Sequence, residues 1–229
     1  MAESTRAVLE GRVLDIPWYQ GRRSRAMLSD GAYERTKRLL DVVICLLLLP
    51  FVVAVLAVCA LAIKLDSRGP VFFVQHRTGR GGRRFRMYKL RTMVRDAEVL
   101  KAHYAHMNAM SYPDFKIARD PRVTRVGRIL RKTSLDELPQ IFNILRGDMT
   151  LVGPRPTSFR AETYRLWHTA RLEVKPGLTG LWQVSGRNQL DFDERLRLDI
   201  AYIRHRSLGL DLKILARTVG TVVSGRGAD

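Results

Sequence analysis

Acidic residues are scarce in this chain. Only 22 Asp and Glu stand against 40 Lys and Arg, giving a formal net charge of +18. Such an imbalance implies an anionic partner: nucleic acid, an anionic membrane surface or a phosphorylated substrate. Cysteine is scarcer still. Cys45 and Cys59 are the only two, and both lie in one apolar run. That excludes a disulfide framework and suggests a thiol-reducing compartment or lipid contact. Aromatics make up only 8%, yet apolar residues reach 46%, which excludes a disordered basic tail.

Several signatures are missing. "GRGGRRFR" is rich in glycine and arginine, but no strand–G-x-x-x-x-G-K-[ST]–helix pattern makes it a Walker loop. His103 and His106 share a helical face without a third ligand type nearby, so a solvated face is expected there and not a metal site. There is no helix-turn-helix, zinc or RNP signature, so nucleic acid is not the expected partner despite the charge. No small-residue cleavage pattern follows the apolar run, which also starts too late for a signal peptide. No internal repeat is visible.

What is present begins with "DVVICLLLLPFVVAVLAVCALAIK", uncharged from Val42 to Ile63. As a straight helix this run would reach ~33 Å, enough to span a bilayer. A soluble core helix would show a polar face, and this run shows none. Pro50 sits inside it, removing an amide donor and clashing with the preceding turn, so a bend is expected. Both flanks are basic, with Arg35, Lys37 and Arg38 before and Lys64, Arg68 and Arg77 after. The positive-inside tendency places both flanks in the cytoplasm, as a helix that dips into one leaflet and returns would do. An ordinary span with a tolerated proline is the alternative.

Around that segment, residues 1–33 read as a loose basic arm. "GPVFFVQHRTGRGGRRFRMYKLRTM" reads as two strands about a turn at Gly79 to Gly82. Val94 to Asn108 reads as an amphipathic helix. Leu138 to Leu145 reads as a helix packed through Leu138, Ile141, Phe142 and Leu145. "RLEVKPGLTGLWQVSGRN" is loop-rich, and Trp182 suits either headgroup depth or an ordinary core. Phe192 to Val223 is mostly helical in pattern. Its last part, "LDLKILARTVGTVV", suits either a membrane surface or packing on the domain.

The adjacent acids Asp136 and Glu137 stand just after Arg131 and Lys132. Ser134 and Glu137 have the spacing of a capping box, which needs no chemistry. Pro139 fits that reading poorly, because proline prefers the first helical turn; the helix would then start later, near Asp136. The same geometry suits phosphoryl chemistry. A helix N-terminus and Arg131 would both favour an ionised Asp136, able to attack phosphorus. Lys89, Arg91, Arg131 and Arg155 are the cations available to neutralise a diphosphate, with Mg²⁺ the usual supplement. Spacing alone leaves capping and catalysis both open.

The chain resembles the bacterial sugar transferases, monotopic phosphoglycosyl transferases that act on a polyprenyl phosphate. The resemblance runs from about Glu34 to Val223. It rests on "KRLLD", the proline-containing apolar run, the Gly-rich hairpin, "DPRVTRVGRILRKTSLDELPQIFNILRGDMTLVGPRP" and "KPGLTGLWQVSGRN". It implies a mixed, predominantly α fold with a Pro-broken re-entrant membrane helix over 34–66, amphipathic interfacial helices and a small β-hairpin. Residues 67–229 would form a catalytic domain on the cytoplasmic face of the bacterial inner membrane.

The implied reaction moves a sugar-1-phosphate from a UDP-sugar to undecaprenyl phosphate and releases UMP, the first membrane step of exopolysaccharide, O-antigen or protein-glycan assembly. Asp136 matches the family's nucleophile. Glu137 matches its partner, which would organise Mg²⁺ with Asp136 or assist proton removal. Lys89, Arg131 and Arg155 match positions around the active site, and Arg187 would serve the nucleotide or phosphate. Anionic lipids are implied partners, and a homodimer is left open. Where relatives commonly carry Ser-Pro at the helix break, this chain has Leu49-Pro50. The resemblance also implies a minimal form without the multi-span region of some relatives, like the small exopolysaccharide-initiating members.

Overall fold

A computed structural model describes residues 29–108, 117–163, 166–185 and 190–223. Its first element is the helix α1, Asp30–Asp66, capped by Ser29, whose hydroxyl accepts from the Ala32 amide. The helix therefore takes in residues 30–33, which were expected in the arm; residues 1–28 lie outside the described residues. It runs on helically across Leu49 and Pro50. The proline ring removes an amide donor and crowds the preceding turn. Leu49 and Val52 pack on the core to either side of it and hold the flanking turns.

The apolar run is two-faced in a way its composition hides. Cys45, Val52 and Cys59 are buried at sevenfold spacing, as are Leu56 and Ile63, with Leu49 partly buried in the same series. This 3–4 stripe lies against the rest of the protein, as in helix–helix seams. Leu47, Phe51, Val58, Leu61 and Leu65 stay largely exposed. Both cysteines are free and buried in protein, which replaces the lipid contact proposed for them.

Both ends of α1 are tied to the same body. At the N-terminal end, the polar residues of "KRLLD" each find a partner. Lys37 pairs with Asp211 at 2.9 Å, and Arg38 donates to the carbonyls of Ile144 and Leu145. Asp41, buried, accepts from Thr150 and from the Leu151 amide. At the other end, the Asp66 carboxylate accepts from the Val126 amide at 3.0 Å.

The strands β1, Phe72–Thr78, and β2, Arg84–Leu90, form the expected antiparallel hairpin. Gly81 and Gly82, at φ 63° and 77°, supply the left-handed turn that side chains resist. The helix α2, Ala97–His103, is shorter than expected, with a separate 3-10 turn at Ala105–Met107. Helix α3, Arg125–Lys132, is capped by Thr124. It approaches the strand exit so closely that a Cβ on Gly127 would lie 2.0 Å from the Thr92 carbonyl oxygen.

Ser134 then adopts φ 57° and makes no side-chain cap, so the capping box does not form. A 3-10 turn, Leu135–Glu137, carries the two acids, and helix α4, Gln140–Arg146, follows. Its buried face is Gln140, Ile141, Asn143 and Ile144; Phe142, expected inside, is 40% exposed.

A short parallel pair of strands, β3 at Thr150–Val152 and β4 at Gly177–Thr179, was not legible in the loop-rich sequence. Helix α5, Phe192–His205, opens with a true capping box between Asp191 and Glu194. Helix α6, Leu208–Val223, buries Asp211 and Ile214 on the domain and leaves Leu212 and Val219 exposed. Trp182 packs against the core, with the Arg195 guanidinium 5.4 Å from its ring. Among the described residues the fold is thus mostly helical, with two two-stranded sheets.

Candidate active site

The site forms where β2, the 3-10 turn and the loop after β3 meet. Asn143 fixes the first of these. Its side chain accepts from the Tyr88 amide at 3.0 Å and donates to the Arg86 carbonyl at 2.7 Å, binding α4 to the hairpin edge. Lys89 therefore faces the turn. Its ammonium lies 2.7 Å from Glu137 Oε1 and 3.7 Å from Asp136 Oδ2.

Arg155 completes the cluster. Its Nη1 donates to Glu137 Oε2 at 3.1 Å, and its Nη2 donates to Oε1. This fork satisfies both carboxylate oxygens, which a lysine's single charge centre would not. The backbone of Arg155 is held in turn. Arg171 donates to its carbonyl and pairs with Asp199 at 2.7 Å, both of them buried. Arg171 and Asp199 were not foreseen; they belong to no recognisable spacing, and only the fold brings them behind the site.

The two acids differ sharply. Burial alone would raise Glu137, but Arg155 and Lys89 override it and hold the carboxyl far below its usual range. For Asp136 burial prevails. It pushes the carboxyl up, with Lys89, Arg155 and Arg131 offsetting it and Glu137 adding to it. Burial thus works against the ionisation that Arg131 and a helix N-terminus were expected to favour, with Arg131 still favouring it. The helix proper starts only at Gln140, and Arg131 Nε is spent on the Thr92 hydroxyl at 2.9 Å. Asp136 accepts no hydrogen bond from the described residues. It is the carboxylate with oxygens available for a ligand.

Arg91, proposed for phosphate, is committed elsewhere. Its Nη1 and Nη2 donate to the carbonyls of Arg68 and Ser67 at 2.7 and 2.9 Å, closing the end of α1. Arg187 lies outside the described residues.

For Mg²⁺ the donor set is lean. No cluster of three or more metal-ligating side chains occurs among the described residues. Glu137 is already occupied by cations, which leaves Asp136 as the open protein ligand. That suits a Mg²⁺ held by one or two carboxylates together with a substrate's phosphates, the common arrangement for this ion, and does not make an all-protein cage.

A family model described as bacterial sugar transferase matches residues 32–225. The chain belongs to the bacterial sugar transferase family. Galactosyl transferase CpsE of Streptococcus agalactiae is 50% identical over 162 residues, which cover 70% of this chain and 36% of that protein. Undecaprenyl-phosphate galactose phosphotransferase of Salmonella typhimurium is 48% identical over 165 residues, covering 70% and 35%. The UDP-glucose:undecaprenyl-phosphate glucose-1-phosphate transferase of Caulobacter vibrioides is 45% identical over 204 residues, covering 84% and 72%. This bacterial sugar transferase thus spans about a third of the length of the first two relatives and most of the third.

Proposed function

We propose that this protein transfers a sugar-1-phosphate from a UDP-sugar to undecaprenyl phosphate, with Asp136 as nucleophile. The observation that carries this reading is the asymmetry of the acid pair. Glu137 is clamped by Arg155 and Lys89, while Asp136 beside it accepts no hydrogen bond from the described residues and sits 3.7 Å from Lys89. Family membership and the names of the relatives point to the same substrates.

In the first step an Asp136 oxygen attacks the phosphorus that bears the sugar. The bond from that phosphorus to the bridging oxygen breaks, and UMP leaves with the electron pair. A phosphosugar remains on the carboxylate as an acyl phosphate. In the second step an oxygen of the lipid phosphate attacks the same phosphorus, and the Asp136 carboxylate leaves unchanged. Lys89, Arg155 and Arg131 neutralise the phosphate oxygens as charge builds. Glu137 holds Lys89 and Arg155 in place. Mg²⁺, which Asp136 would hold together with the donor's diphosphate, would supply further charge neutralisation.

The membrane placement belongs to the same reading. The apolar side of α1 is exposed, as are Phe72 to Val74, Leu212 and Val219, and large exposed apolar patches mark membrane or partner surfaces. α1 is long and apolar enough to cross a bilayer. Yet Arg38 and Asp66, near its two ends, both bond to one domain. A helix whose two ends serve one domain supports insertion into one leaflet from the cytoplasmic side over a full span. Asp136 would then lie near headgroup depth, where a lipid phosphate and a soluble nucleotide sugar can both arrive.

The test is UMP release from a panel of UDP-sugars in detergent, with and without undecaprenyl phosphate. Release that requires Asp136 and that one donor supports best is expected. An Asp136→Asn enzyme releasing UMP at the wild-type rate contradicts the assignment.

A further inference from the structure

Beside the N-terminal turns of α1 lies a cavity of about 330 Å³ that shares no lining residue with the Asp136 cluster. It opens between α1 and the segments carrying β3 and Lys175. Helix α4 separates the two places. The acids precede its first turn, whereas the cavity lies beside Arg38, which is bonded to the carbonyls of Ile144 and Leu145 in its last turn. The floor is apolar, with Met149 and Val174 buried. The wall is cationic.

Not all of this charge is compensated. Lys37 is paired with Asp211, and Arg206 with Glu34 at 2.8 Å. Asp41 is spent on Thr150 and the Leu151 amide. Arg38 is spent on the carbonyls of Ile144 and Leu145, which leaves Arg35, Arg80 and Lys175 with no carboxylate partner among the described residues. They converge. A Cβ built on Gly147, which sits at φ 92° after α4, would lie 3.7 Å from both Arg38 Nη2 and Lys175 Nζ. The α4 carbonyls offset Arg38 in part, and an anion between the two like charges would offset the pair more fully. The arrangement of a guanidinium and an ammonium over a half-buried backbone corner suits phosphate oxygens.

We infer that this cavity is a second phosphate site, built by Lys175, Arg35 and Arg80, with Arg38 behind them adding its charge. Its position relative to α1 suggests the source. Leu39, Leu40 and Val43 follow directly after Arg38 and are 63%, 39% and 43% exposed. A phosphodiester held at the cavity would have its acyl chains beside them, as an anionic phospholipid headgroup does at a bilayer surface. A free phosphate anion offers the same chemistry without the chains. The lipid source rests on the membrane placement proposed above; the site itself does not.

The experiment is calorimetric titration of the full chain in neutral detergent, without sugar donor or polyprenyl phosphate. The probes are short-chain phosphatidylglycerol, phosphatidylcholine of equal chain length, and inorganic phosphate. Saturable one-to-one binding of phosphatidylglycerol is expected, well above phosphatidylcholine. Arg35→Gln/Lys175→Gln should weaken it by about tenfold or more. Arg125→Gln/Arg128→Gln on α3, the same loss of charge elsewhere, should leave it unchanged. Inorganic phosphate that binds as tightly and displaces the lipid would uphold the site and assign it to a soluble anion. Equal loss in both variants, equal binding of phosphatidylcholine, or no saturable binding overturns the inference. Transferase turnover of Arg35→Gln/Lys175→Gln in detergent, expected at the wild-type level, keeps this outcome separate from that of the proposed reaction.

Discussion

Arg155 donates to both carboxylate oxygens of Glu137, and that fork makes two neighbouring acids unlike. Glu137 becomes a fixed anion that positions cations. Asp136, one residue earlier on the same 3-10 turn, keeps its oxygens for a ligand.

The fork can be weighed by a double-mutant cycle. Arg155→Ala leaves Glu137 a buried anion with one cation partner, and should destabilise the fold by about 3 kcal/mol. Arg155→Ala/Glu137→Gln should recover part of that loss, because the stranded charge is gone. Arg155→Lys should fold well yet lose at least about tenfold in turnover, since one ammonium cannot hold both oxygens. Chemical denaturation and UMP release measure the two effects. Additive losses in the cycle would show that the pair is not coupled.

Behind the fork, Asp199 is completely enclosed. Burial pushes its carboxyl up to about 7, and Arg171 and Arg195 offset this only in part. An acid raised on folding binds a proton that the unfolded chain has released, so stability falls as pH rises between the two values. Wild-type stability should therefore decline relative to Asp199→Asn from about pH 4 to about pH 7 and run parallel to it above that. Thermal melts of the two proteins across pH 4 to 9 test this. A constant difference throughout would show that Asp199 keeps its ordinary titration.

What the sequence could and could not show follows from the range of each interaction. The hairpin was legible because Gly81 and Gly82 occupy a turn that only local backbone sterics decide. Capping was legible only as a spacing, and it misled. "SLDE" has the pattern, but Ser134 turns left-handed and caps nothing, while "DFDE" at Asp191 forms the real box. Local spacing cannot report whether the serine's φ allows the cap. The role of Arg91 was hidden for another reason. Its guanidinium serves carbonyls more than twenty positions earlier, at the end of α1. The β3–β4 pair was invisible because two three-residue strands, far apart in sequence, carry no periodicity. The buried stripe of α1 was present in the sequence as Cys45, Leu49, Val52, Leu56, Cys59 and Ile63, but the apolar residues on every other face masked it.

The topology of α1 gives a direct prediction. Asp30→Cys and Pro70→Cys flank the apolar run, and Cys45 and Cys59 are buried and shielded from aqueous reagents. In spheroplasts a membrane-impermeant maleimide should label neither introduced cysteine. After permeabilisation it should label both. Labelling of one and not the other in intact spheroplasts would make α1 an ordinary span.

The most direct measurement is the mass of the enzyme after rapid quenching with its UDP-sugar donor alone, no lipid present. A gain of one sugar phosphate is expected, mapped by peptide fragmentation to Asp136 and absent from Asp136→Asn. Lipid product accumulating at full rate while quenched enzyme carries no such mass, or carries it on another residue, would contradict the account.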